Sequence, residues 1–375
     1  MYNNYGPPQG YAPQGYGPPQ GYAPQGYGPP QGYGGPPTSY HMQAGGGAPP
    51  QYNNMMVHAN PQGGVMNGNM HYEYSSMQGK RKALLIGINY AGMNSALRGC
   101  WNDVHNMADF IHRYAGYKHD DMVLLTDEPG VHPKSVPTRA NIVAAMQWLV
   151  AGAQQGDALF FHYSGHGGQE RAVEGDEEDG YNETILPLDY NMTGQMPDDE
   201  LHARLVRPLP IGCRLTALFD SCHSGTALDL PYVYSTSGNI KETNISMNVG
   251  KGILGAAMDY ARGDIGGVVS GLMSTFKSAT TGSGAAEYTR QTRSSGADVI
   301  MLSGCKDSQT SADATEAGRA TGAMSWAFIK VLNEYSQLSY LQLLNATRDA
   351  LAMKYSQKPQ MSASHPIDMN LLFVI

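Results

Sequence analysis

Cysteine is scarce in this 375-residue chain: Cys100, Cys213, Cys222 and Cys305 are the only four, and no two stand in a CxxC pair. Thiols this few and this dispersed do not make a disulfide framework, so reduced cysteines in a cytosolic or nuclear setting are expected. No apolar run approaches the roughly 18 to 20 residues that a membrane span needs, and the N-terminus lacks the basic start and hydrophobic stretch of a secretory signal. The expected location is therefore cytoplasmic, with the nucleus as a further compartment and no membrane contact. With 24 Lys and Arg against 32 Asp and Glu there is no clustered basic stripe to meet phosphates, and no nucleic-acid partner is expected.

The deepest deficit is local. Residues 1–79 contain no Lys, Arg, Leu, Ile or Phe, and Glu73 is their only acid, yet they hold 13 of the 23 Pro and 17 of the 46 Gly. So little apolar surface cannot offset the chain entropy lost on folding, and the segment reads as a disordered tail. Within it YGPPQGYAPQG begins at Tyr5 and again at Tyr16, and starts a third time at Tyr27, a period of 11. Evenly spaced Tyr in a Gln/Gly/Pro background can associate weakly with itself through stacking and amide contacts; a flexible spacer is the alternative reading. The basic cluster Lys80–Lys82 then joins the first apolar run, and the 296 residues from Lys80 onward suffice for one sizeable core.

In that part strand and helix patterns alternate. Residues 82–88, 122–125, 157–163, 214–219 and 298–302 read as strands, with a last strand near 369–374; residues 100–114, 138–153, 323–334 and 338–355 read as helices. Alternation of this kind predicts an α/β fold with a mostly parallel sheet flanked by helices, whose site lies at the carboxyl ends of the strands. Two strand ends carry chemistry. ALFFHYSGHGG leads a buried strand into a turn that presents His166 between glycines, and LTALFDSCHSG presents Cys222 in the same way. A thiol and an imidazole at the ends of two central strands are the parts of a cysteine nucleophile and its general acid/base.

The segments HYSGHGG and DSCHSG, in this order, resemble the clan of caspases and their relatives. LRGCWNDV, DGYNETILPLDY with MPDDELH, and SGCKDSQTSADA with GAMSWAF narrow the resemblance to type I metacaspases of fungi, over residues 81–375. This implies a caspase-like catalytic domain at 80–375: a large part at about 80–240, a processing linker at about 241–296 and a small part at about 297–375. It implies Cys222 as nucleophile, His166 as its proton partner, and the N–H groups of Gly167 and Cys222 as oxyanion hole. It implies cleavage after Arg or Lys in a pocket of Cys100, Asp103, Ser164 and Asp220, since carboxylates select such cations by charge-assisted contact. Calcium activation through Asn182, Asp198, Asp199 and Asp229 is implied as well, hard oxygen ligands suiting that ion, with no organic cofactor.

The same resemblance implies a zymogen that processes itself in the linker, Lys241 being the nearest basic residue after the nucleophile strand, with Lys80–Lys82 as a second site that would free the tail. It further implies a monomeric catalytic domain acting on protein substrates in stress-linked cell death and protein quality control. Cys305 reads as a strand-end thiol, Cys213 as core, His223 as a bystander, and Asp307 and Asp313 as neighbours of the substrate groove. Two other readings stand beside this one. The tail could make the chain a self-assembling interaction protein, and His162, His166, Cys222 and His223 could form a metal site, which the position of His162 inside an apolar strand disfavours.

Overall fold

The computed structural model describes residues 63–66, 70–171, 181–221, 224–225, 227–240, 289–304, 313–316, 319–352, 354–355 and 357–375. Residues 1–62, with the repeats, the acidic run 176–179, and the linker residues 241–288 lie outside them. So do Cys222, His223, Lys241, Cys305 and Asp307.

A short hairpin, β1 (Gly64–Met66) and β2 (Met70–Tyr72), precedes the main sheet. The sheet has seven strands: β3 (Arg81–Gly87), β4 (Met122–Thr126), β5 (Ala158–Ser164), β9 (Arg214–Asp220), β10 (Tyr232–Tyr234), β11 (Asp298–Ser303) and β14 (Gln360–Ala363). They run in the order β10-β14-β11-β9-β5-β3-β4. The five from β4 to β11 are parallel; β14 and β10 close one edge antiparallel. Between β5 and β9 the chain builds a small sheet of β6 (Gly167–Arg171), β7 (Tyr181–Ile185) and β8 (Met196–Pro197), and β12 (Asp313–Glu316) pairs with β13 (Arg319–Gly322).

Side chains of each strand alternate between two cores, as the period of 2 requires. Leu85, Phe160, Leu218 and Ile300 meet α1 (Cys100–Ala115), α5 (Ala323–Glu334) and α6 (Tyr340–Ala352) on one face. Leu84, Phe161, Phe219 and Val299 meet α2 (Arg139–Val150) and α4 (Asp198–Leu205) on the other. The short α3 (Tyr190–Thr193) precedes β8. A sheet covered on both faces explains the near-continuous apolar runs. Thr138 caps α2, its hydroxyl accepting from the Asn141 N–H at 3.3 Å, as its sequence implies.

Two expectations change. The final strand is 360–363, not 369–374: the apolar tail end joins no sheet but pairs briefly with residues 338–341, through a bridge from Leu372 to Ser339 and backbone hydrogen bonds such as Phe373 N–H to the Leu338 carbonyl at 2.8 Å, while Phe373 packs edge-on against Tyr340 and Phe328. Its bulky side chains serve the helix-covered core better than a ladder, whereas QMSA lies buried between two strands. The tail boundary also moves, because residues 70–79 pack on the core. Tyr72 stacks on His365 with centroids 4.2 Å apart, and Ser75 is 1% exposed.

Under that strap lies a buried ionic network. Arg214 holds Asp298 at 2.8 Å and donates to the Tyr340 hydroxyl at 2.7 Å, and Ser75 gives its N–H to Asp298 at 3.0 Å. Burial alone would raise the Asp298 pKa, but the Arg214 charge, with His365 and the Ser75 N–H, outweighs it and holds the group at about 2.

Candidate active site

In the register of β5 on β9, Ser164 stands opposite Asp220. His166 and Cys222 each follow two residues after this last pair, so the two chemistry-bearing turns leave neighbouring strands at the same level of the sheet. The strand order reverses next to β5, where β3 sends the chain outward to β4 before it returns. Crevices of open parallel sheets form at such carboxyl ends.

His166 is fixed from three sides. Its Nε2 lies 2.6 Å from the Ser95 carbonyl, its backbone N–H donates to the Tyr90 hydroxyl at 3.1 Å, and its carbonyl accepts from the Tyr163 hydroxyl at 2.7 Å. The Tyr90 ring packs on the imidazole at 4.6 Å. A carbonyl only accepts, so Nε2 carries the hydrogen and the neutral ring keeps its lone pair on Nδ1. Gly165 makes this turn possible: a Cβ there would sit 2.8 Å from the Tyr163 hydroxyl. Tyr90, buried and left-handed at φ 51°, and Ser95 were not anticipated from the sequence. Their place just past the end of β3 was the available signal. Gly167 opens β6 opposite Ile185.

Of the four residues expected to line the substrate pocket, Asp103, Ser164 and Asp220 meet at the strand ends, and Cys100 begins the helix that carries Asp103. Gly87, the last residue of β3, lets α1 start against the sheet, since a Cβ there would lie 2.4 Å from the Cys100 carbonyl; the Cys100 N–H is tied to Asn89 at 2.9 Å. This puts Asp103, in the first turn of α1 and 0% exposed, over the strand ends. Ser164 donates to Asp103 at 2.6 Å, Thr321 donates to its other oxygen, and the Gly322 N–H reaches both at 2.9 Å. Asp220 accepts from the Ser325 N–H at 2.7 Å, in the first turn of α5, so this carboxylate caps a helix N-terminus. Burial first, and the Asp220 charge second, push the Asp103 carboxyl up to about 7.

Position 322 separates the two acids. A Cβ there would fall 2.2 Å from Asp220 Oδ2 and 2.9 Å from Asp103 Oδ2. Thr321, Gly322 and Ser325 thus bind the two acids, and none of the three was assigned to the pocket from the sequence. Asp313 stands opposite Gly322 in the β12–β13 register.

His162 belongs to the core. It is 0% exposed, bonded through Nε2 to the Ser325 hydroxyl at 3.0 Å, and burial pushes its pKa down to about 3. Cys213 is buried too, its thiol pushed up to about 12 by burial and by Asp157 and Asp298, which suits a core residue and no nucleophile.

Asn182, Asp198, Asp199 and Asp229 lie around one locus, but with a guanidinium in it. Arg293 pairs with Asp199 and lies 3.7 Å from Asp229, while Asn182 donates to Asp199 at 3.0 Å. Asp198 accepts the N–H groups of Glu183 at 2.8 Å and of Asp199 at 2.9 Å. Among the described residues no three His, Cys, Asp or Glu side chains gather in a metal-holding group. As arranged, Arg293 occupies oxygens of Asp199 and Asp229 that a calcium ion would need and offsets one of the three carboxylate charges of the cluster, so the ion would have to displace it.

Comparison with known proteins gives the class first. Residues 81–231 match the family model described as metacaspase, peptidase C14 domain, so the chain is a cysteine endopeptidase. It is 70% identical over 327 residues to Metacaspase-1 of Mycosarcoma maydis, covering 87% of this chain and 81% of that protein. It is 57% identical over 334 residues to Metacaspase-1 of Cryptococcus neoformans, covering 88% and 73%. The chain belongs to the metacaspase family, and within it to the fungal type I group. A solved structure from Geobacter sulfurreducens is similar at a TM-score of 0.49 and 24% identity, over 79% of this chain and 97% of that one, a likeness too remote to carry an argument.

Proposed function

We propose that this endopeptidase cuts its protein substrates after Arg or Lys. The observation that supports the reading is the convergence of two buried carboxylates, Asp103 and Asp220, with Ser164 at the strand ends, Asp220 standing two residues before Cys222 in the sequence; with Cys100 they would line the pocket. Two acids with one easily lost proton between them favour a cationic side chain, because its charge replaces the proton. His166 takes the Cys222 proton on Nδ1, and Ser95 steadies the imidazolium through Nε2–H. The thiolate attacks the scissile carbonyl; the proton then passes to the leaving amine, and water hydrolyses the acyl-enzyme. The N–H groups of Gly167 and Cys222 serve the developing oxyanion, a contribution of about 10²–10³ in rate.

The enzyme is a zymogen, monomeric in its catalytic part, that processes itself in the linker at about 241–296, with Lys241 as the candidate bond. It works in the cytoplasm and nucleus, in stress-linked cell death and protein quality control, and its tail self-associates. No step runs through calcium, whose activating role requires Arg293 to leave the acidic cluster. Among the described residues no helix is long and apolar enough to cross a membrane.

The test is hydrolysis of paired fluorogenic peptides ending in Arg or Asp, with calcium or chelator, beside Cys222→Ala. Cleavage after Arg that vanishes in Cys222→Ala supports the reading; cleavage after Asp refutes the acidic pocket.

A further inference from the structure

The first Lys or Arg of the chain is Lys80, and although the residue is exposed its backbone is already tied into the fold. Its N–H donates to Asp157 Oδ1 at 2.7 Å and its carbonyl accepts from Ala158 at 2.8 Å; just before it, the Gly79 N–H donates to Gly156 at 2.8 Å. Arg81 and Lys82 open β3 in register with Ala158 and Leu159 of β5, and β3 is paired on its other side with β4. Upstream, the strap is anchored by Ser75, whose hydroxyl reaches the Asp157 carbonyl at 3.2 Å and whose N–H reaches Asp298 at 3.0 Å. Tyr74 accepts from the Asp368 N–H at 3.0 Å, and Met77 is 5% exposed.

A protease reads its substrate as an extended segment on both sides of the scissile bond. Presenting Lys80, Arg81 or Lys82 to an active site therefore means withdrawing both the strap and a central strand. Such an opening approaches the free energy of global unfolding. The next basic residue, Arg98, lies in the exposed loop before α1; a cut there leaves β3 on the tail-bearing fragment, still held between β4 and β5.

We propose that the repetitive tail is never released by the protein's own activity and remains on the working protease. The inference rests on the Arg/Lys reading above. It runs against the expectation that Lys80–Lys82 frees the tail. The strap also spans the products of processing: Asp157 precedes the linker, whereas Asp298, His365 and Asp368 follow it. A linker cut leaves the tail fastened to both fragments, and wherever the tail self-associates, the active enzyme goes with it.

The full chain is allowed to process itself, then separated by size under native conditions and weighed as intact fragments, with Cys222→Ala in parallel. Expected is a tail that co-elutes with the catalytic part, and a free fragment 1–54 only in the variant Asn54→Arg, which places a basic residue upstream of the strap. A free wild-type tail ending at Lys80, Arg81 or Lys82 overturns the proposal. A free tail ending at a non-basic residue refutes the Arg/Lys reading instead. If Asn54→Arg keeps its tail while Arg-ending peptides are cleaved, the lack of basic residues is not what spares the tail, and the proposal fails.

Discussion

Acidification should weaken recognition of a substrate Arg before it disables the chemistry, and Asp103 sets the size of the effect. Burial first, and the Asp220 charge second, raise its carboxyl to about 7, so acidification from pH 8 to pH 6 adds a proton to the Asp103–Asp220 pair. A cationic side chain binds the ionised pair, and below the pKa each pH unit costs about 1.4 kcal/mol to expel the proton first. The kcat/KM for an Arg-ending peptide, divided by that for the same peptide ending in neutral citrulline, should fall about tenfold from pH 8 to pH 6. Dividing by the citrulline peptide cancels the titration of His166 and Cys222, which both substrates share. In Asp103→Asn the ratio should be low and flat, because no proton remains to be displaced. A flat ratio in the wild-type protein, or an unchanged inflection in Asp103→Asn, would refute the assignment of Asp103 as the titrating acid of the pocket.

Gly322→Ala puts a methyl group between the two acids; Arg peptides should lose at least tenfold in kcat/KM, and denaturant unfolding should register a loss of about 1–3 kcal/mol from overpacking. Tyr90→Phe removes the hydroxyl that receives the His166 N–H and donates to Leu186 at 2.6 Å; kcat should drop about tenfold with little change in KM, as for other groups that orient a catalytic imidazole. An unchanged kcat would remove Tyr90 from the positioning of His166. Arg293→Gln withdraws the guanidinium from Asp199 and Asp229, so calorimetric titration should find calcium bound more tightly than by the parent chain; equal affinity would mean Arg293 does not compete with the ion. Arg214→Met leaves Asp298 charged and buried, which should cost about 3–5 kcal/mol in urea unfolding. The stability that Asp298 contributes is present above the unfolded carboxylate range and is lost as the pH falls through about 2.

The amino-acid sequence by itself determined the alternation of strands and helices, both cores and the ends of the strands that matter. Buried parallel strands write long apolar runs, and the glycines around His166 mark a turn that must pass close to other atoms. It also determined that residues 1–79 hold no Lys, Arg, Leu, Ile or Phe, a property of composition that needs no coordinates. Folding brought together what is distant in the chain. Asp103 and Asp220 share a pocket only because α1 starts against β3, and Gly322 and Ser325 reach them only because α5 begins over the end of β9. Arg293 enters the acidic cluster from a stretch whose sequence shows only scattered charges. The strap at 70–79 was invisible for the same reason: Tyr72, Tyr74 and Ser75 are unremarkable in a polar segment, and their partners His365, Asp368 and Asp298 lie more than two hundred residues away. Local propensity and periodicity decide elements, whereas the pairing of charges and hydrogen bonds depends on which elements become neighbours.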